Sequence, residues 1–134
     1  SREDAQEVGE IKRVVNTFLQ LLDEYEVSNG LLIAATNLTK FLDEAVWRRF
    51  DDVIEVPKPS DPEIRTILKQ TLASVEVGSV DWDAIVQKLV GFSAAQIVKI
   101  TQNAAKRAIL DREDLVIQEH LEASIQDILV SHAG

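Results

Sequence analysis

The sequence predicts an α/β chain, with two strands of a parallel sheet in its first part and a unit of four helices after it. Three observations predict this. Leu31-Leu32-Ile33-Ala34-Ala35 is apolar without alternation, which suits a strand covered on both faces. Val53-Ile54-Glu55-Val56 is a second, shorter extended run. From Pro62 onward, apolar residues recur at three- and four-residue spacings behind capping residues, the pattern of amphipathic helices.

Size and composition bound what such a chain can do. At 134 residues it can form one ordinary domain, or one and part of another. A hydrophobic share of 46% with only 5% aromatic residues predicts an aliphatic core. The net charge of −9 argues against a general nucleic-acid surface, which needs basic patches, but leaves room for a local basic site. There is no Cys, hence no disulfide framework and no thiolate metal site. With only His120 and His132 besides, no metal centre is expected. No apolar run approaches the ~20 residues of a membrane span, and no signal segment opens the chain, so the expectation is a soluble protein of the cytoplasm. The chain has no Met, position 1 included, which points to a polypeptide cut from, or expressed as part of, something longer.

Taken in order, residues 1–10 are acidic and polar with little to bury. From Ile11 the residues Val14, Val15, Phe18, Leu19 and Leu22 form one broad helix face, about three turns long. Ser28-Asn29-Gly30 predicts a turn into the first strand. A short helix then separates the strands, with Asp43-Glu44 at its start and Arg48-Arg49 at its end. Pro57, Pro59 and Pro62 mark a stiff junction and the best domain boundary. Asp61 is the expected N-cap of the next helix, with Pro62 in its first position and Ile64, Ile67, Leu68 and Leu72 on one face.

Three further helices follow. Asp81 caps Trp82 to Leu89, closed by Gly91. Ser93 with Gln96 is a capping box for a helix running to about Leu110. Leu115-Val116-Ile117 is a short extended piece, and a last helix begins near Gln118, burying Leu121 and Ile125. His120 is expected to be exposed at the start of that helix, and Trp47 and Trp82 to be packing anchors.

Two constellations could carry chemistry. Asn37 ends the first strand, where open α/β sheets place their ligand contacts. By itself a Thr-Asn tip reads first as a turn whose amide serves local backbone groups, and second as a polar amide aimed at a ligand or water. Arg48 and Arg49 read either as surface charge favourable at a helix end, paired with Asp51 or Asp52, or as a phosphate grip. There is no Gly-rich phosphate loop, no nucleophile-elbow signature around any serine, and no run of apolar residues ending in Asp-Glu that would hold magnesium and a general base.

Together, LLIAATN, LDEAVWRRFDDVIEVPKP and GFSAAQIVKITQNAAKRAIL resemble the C-terminal half of an AAA ATPase module of the AAA+ superfamily. The resemblance covers nearly the whole chain, from just after Walker B through the small helical lid. It implies a partial P-loop NTPase-like sheet in residues 1–59, a four-helix lid in residues 60–130, and a frayed tail at 131–134. It also implies that Asn37 is the sensor asparagine that helps hold the attacking water and the γ-phosphate. Arg48 and Arg49 correspond to paired arginine fingers that reach the neighbouring subunit's nucleotide in a ring, usually a hexamer. Their adjacent Arg-Arg-Phe form is closest to the microtubule-severing and ESCRT-disassembly branch. The first ten residues correspond to a pore loop facing a protein substrate.

Gly91, Ser93, Ala94 and Ala95 match the segment near adenine and ribose, with Ala94 where the family has Gly and Gln96 where it has Asp. The implied cofactor is ATP with Mg2+, whose phosphate and metal ligands lie outside these 134 residues. The implied activity is that of a parent protein that couples ATP hydrolysis to remodelling or unfolding of protein substrates, while this chain alone should not hydrolyse ATP. The alternative is a non-catalytic interaction or oligomerisation module built from the lid and the half core.

Overall fold

The computed structural model describes residues 2–25, 30–37 and 39–131, and for Phe41 the backbone only. The chain divides into two compact units, Ser1–Glu55 and Val56–Gly134.

The first unit is built on helix α1, Arg2–Glu24. It starts well before Ile11, where the apolar stripe predicted a start. Glu3 and Asp4 sit in the first turn, at the positive end of the helix dipole, and Ala5, Gln6 and Glu7 are good helix formers. Along the stripe, Ile11, Val15, Leu19 and Leu22 are half-buried while Val14 and Leu21 are exposed, and no residue of α1 is fully buried. The predicted turn at Ser28-Asn29 lies outside the described residues. A 3-10 turn at Thr39–Phe41 and the short helix α2, Glu44–Trp47, complete the unit. The Asp43 side chain caps α2 by accepting the Ala45 N–H at 3.0 Å, and Val46 is buried.

Neither expected strand forms, and no strand is present among the described residues. Leu31 is 86%, Ile33 80% and Ile54 85% exposed. A parallel strand needs backbone partners along its edges and cover on both faces. The two runs do not pair with each other, and no other described stretch offers an edge, so both stay extended and uncovered.

The second unit is a bundle of four helices: α3, Asp61–Thr71; α4, Trp82–Leu89; α5, Ala94–Leu110; and α6, Gln118–Ser131. Helix α5 lies at its centre, packed on α3 and on α6. The core is aliphatic, with Ile64, Leu68, Ile85, Leu89, Ile97, Ile100, Leu121 and Ile125 among its buried members and Trp82 packed against it. Ala104 and Ala108 keep the inner face of α5 small enough for close approach. Residues 132–134, most of the expected tail, lie outside the described residues, and Ser131 is the last residue of α6.

The helix starts follow local chemistry. The cap of α3 is Ser60 rather than Asp61: the Glu63 carboxylate accepts the Ser60 N–H at 2.7 Å and its hydroxyl at 2.9 Å. Asp81 caps α4 by accepting the Ala84 N–H at 3.1 Å. Gly91, with φ of 92°, takes the left-handed conformation that ends α4 and that glycine adopts at no steric cost. Two hydrogen bonds join the connections flanking α4 and α5, Gly78 N–H to the Val116 carbonyl and Val116 N–H to the Glu76 carbonyl, each 2.9 Å. Gly78 allows that approach, because a Cβ there would lie 2.6 Å from Leu115 Cδ1.

His120 is 5% exposed, against the expectation of an exposed side chain. Its Nδ1 accepts the Ile117 N–H at 3.1 Å, and its Nε2 lies 3.4 Å from Asp111 and 3.8 Å from Glu113. The segment between α5 and α6 folds back over the ring, which helix periodicity alone does not reveal.

Candidate functional site

The first unit holds Asn37, Arg48 and Arg49. Arg48 is the C-cap of α2 and Arg49 follows it, so the four-residue helix sets where both side chains leave the backbone. Their environments differ. The Arg48 side chain is 73% exposed, and Nη2 donates to Glu44 Oε1 at 2.8 Å, one turn back. The Arg49 side chain is 33% exposed and forks onto Asp23 near the end of α1. Nε donates to Oδ1 at 2.8 Å and Nη2 to Oδ2 at 3.1 Å, while Nη1 donates to the Ala45 carbonyl at 2.6 Å. The hydrogen bonds between Arg49 and Asp23 raise the Arg49 pKa above its ordinary value and hold the Asp23 carboxyl below its own.

The acidic partners are therefore Glu44 and Asp23, and not the expected Asp51 or Asp52. The pairing with Glu44 is legible as an i,i+4 spacing. The pairing with Asp23 is one that sequence reasoning missed, since no local signal links it to Arg49. Asn37 lies in an exposed bend, and among the described residues it shares no hydrogen bond or ion pair with either arginine.

Gly91, Ser93, Ala94 and Ala95 stand at the start of α5 in the second unit. Ser93 N–H donates to Gln96 Oε1 at 2.8 Å, and Gln96 N–H donates to Ser93 Oγ at 3.2 Å. The box uses those two donors and leaves the N–H groups of Ala94 and Ala95, which have no intrahelical carbonyl, at the positive end of the dipole. An anionic or carbonyl-bearing ligand fits such a start, and the open space around Gly91 would not obstruct it.

Mg2+ is a different matter. Among the described residues no group of three His, Cys, Asp or Glu side chains could hold a metal ion. Asp23 and Glu44, the carboxylates beside the arginines, are committed to ion pairs. These residues do not fit the metal. No helix among the described residues is long and apolar enough to cross a membrane.

Residues 1–58 match the model of the ATPase family associated with various cellular activities (AAA). Along its whole length the chain is 36% identical to the uncharacterized AAA family ATPase y4kL of Sinorhizobium fredii, covering 40% of that protein. It is 33% identical over 123 residues to the mouse ATP-dependent zinc metalloprotease YME1L1, which takes in 89% of this chain and 17% of the relative. It is 35% identical over 125 residues to the proteasome-activating nucleotidase of Thermococcus onnurineus, 91% of this chain and 31% of the relative. The chain thus spans less than half the length of these curated relatives.

Proposed function

We propose that the chain, whose residues 1–58 match the AAA ATPase family model, is the C-terminal half of an AAA module, from just after Walker B through the helical lid. The protein carrying it couples ATP hydrolysis to the remodelling or unfolding of protein substrates. The observation that carries this reading is the exposed arginine corner after α2. Arg48 is exposed and has, among the described residues, one weak i,i+4 partner, so its guanidinium is available to a group outside the unit.

In this reading the chain assembles as a ring, a hexamer, in the cytoplasm. Asn37 offers its amide to the attacking water and the γ-phosphate of its own subunit's nucleotide. The Arg48–Arg49 corner serves the neighbour's nucleotide, where positive charge stabilises the phosphoryl oxygens in the transition state. The backbone around Gly91, Ser93, Ala94 and Ala95 contacts the nucleoside. Bound Mg2+ would supply charge neutralisation on the phosphates from ligands outside these residues. The uncovered runs at 31–35 and 53–56 fit strands that complete a parallel sheet with the N-terminal half of such a module. The isolated chain contains no Gly-x-x-x-x-Gly-Lys-Ser/Thr loop and is inactive by itself. Arg48-Arg49-Phe50 supports the severing and ESCRT-disassembly branch, whereas the relatives' names support a protein substrate handed to a protease.

The test is Arg48→Ala in the full-length protein. Turnover should fall by roughly 10³-fold or more with nucleotide affinity within a few-fold of wild type. Unchanged turnover, or an equal loss of binding and turnover, would contradict the finger role.

A second reading draws on the closed aliphatic core of the four-helix unit, which suits an interaction or oligomerisation module without turnover. Light scattering of the isolated chain with and without nucleotide separates the two: nucleotide-independent association favours the second.

A further inference from the structure

We propose that the two arginines divide their work: Arg49 is a positioning residue clasped by Asp23 within its own subunit, and Arg48 alone reaches the neighbour's nucleotide. This rests on the finger reading above and deepens it.

The geometry separates adjacent residues of the same type. Arg49 uses three of its five N–H donors inside the unit, two on Asp23 in a parallel fork and one on the Ala45 carbonyl. A bidentate arginine–carboxylate pair fixes orientation as well as charge. To reach a phosphate outside the unit, Arg49 must open that fork and leave Asp23 unpaired near the C-terminal end of α1. That end carries the negative pole of the helix dipole, and α1 has no basic residue in its last turn. The guanidinium of Arg49 supplies the missing cation. Arg48 has none of these commitments: its one partner among the described residues is an exposed glutamate on its own helix, an interaction readily exchanged for a stronger anion.

The clasp also explains how a helix as short as α2 can aim a side chain. Four residues with one buried contact, Val46, cannot by themselves hold a fixed direction. Tying the residue after Arg48 to the end of a 23-residue helix makes the arginine corner part of α1.

The experiment is a set of substitutions in the full-length assembled protein, reading kcat, nucleotide Kd and thermal melting. Arg49→Ala and Asp23→Asn should each lower kcat by about tenfold with Kd little changed, and the double variant should be no worse than either, as expected of partners in one interaction. The exchange Asp23→Arg/Arg49→Asp should recover most of that loss, because a reversed pair still clasps. Arg48→Ala should lose far more and should not be rescued by any change at Asp23. An exchange variant that melts normally yet is as inactive as Arg49→Asp alone overturns the division, since a phosphate contact cannot survive charge reversal. If the exchange variant does not fold, Asp23→Asn decides. Near-wild-type turnover beside an inactive Arg49→Ala overturns the proposal, and matching losses support it. Full turnover in both Arg48→Ala and Arg49→Ala would instead remove the finger reading itself.

Discussion

The imidazole of His120 accepts the backbone N–H of Ile117 through Nδ1, at 3.1 Å, with the ring almost wholly buried. The neutral ring must then carry its proton on Nε2, which faces Asp111 and Glu113. A residue expected on the surface thus holds the start of α6 to the segment that precedes it.

Replacing His120 by Ala should leave the Ile117 N–H without its partner and a gap in the packing. The expected cost is about 1–3 kcal/mol, read as a loss of roughly 4–8 °C in Tm per kcal/mol for a unit of this size. An unchanged melt would show that water replaces the ring without penalty.

Removing the hydroxyl that caps α5, by Ser93→Ala, should destabilise the second unit by about 0.5–2 kcal/mol. Gln96→Glu should be much milder, since a glutamate carboxylate can accept the same Ser93 N–H. Urea unfolding of the two variants orders them, and a Glu variant as weak as the Ala variant would show that a carboxylate does not replace the amide in the reach-back bond.

Core and surface should respond in opposite ways within this chain. Leu121→Ala, at a fully buried position, should cost about 2–5 kcal/mol. Leu31→Ala, with its side chain uncovered, should stay within roughly 0.5 kcal/mol of wild type. A large loss at Leu31 in the isolated chain would mean that the run is covered in solution.

Glu122 gives a pH signature. The hydrogen bond from Lys88, at 2.6 Å, and then that from Gln118, at 3.1 Å, hold its carboxyl below the ordinary glutamate value. A depressed folded pKa contributes stability that is present above the unfolded value and is lost as pH falls through the folded one. Glu122→Gln should therefore melt below wild type at neutral pH, and the gap should close well below the ordinary glutamate value of about 4.3. A gap that persists in strong acid would assign the effect to packing instead.

What the sequence made legible was local. Asp81 and the Ser93–Gln96 box announce their helices because each cap is satisfied within a few residues of itself. Ser60 was equally readable, from the glutamate three residues on, but Asp61 and Pro62 offered a competing start. The missing information is non-local. The pairing of Asp23 with Arg49 crosses from one helix end to another, and the burial of His120 depends on how a connection folds back. The runs at Leu31 and Ile54 have the composition of strands, but a strand exists only by pairing, and no described stretch pairs with either run. The register of the sequence points to Asn37, Arg48 and Arg49 but carries no sign that the two arginines differ in freedom.

The paired hydrogen bonds between Gly78 and Val116 and between Val116 and Glu76 have a dynamic consequence. They close a loop that contains all of α4 and α5, so the α3–α4 and α5–α6 connections cannot fray separately. The amides of Gly78 and Val116 should exchange with solvent hydrogen at the same opening free energy, although they lie on connections far apart in the chain. The four helices would then open as one cooperative unit rather than peel away one at a time.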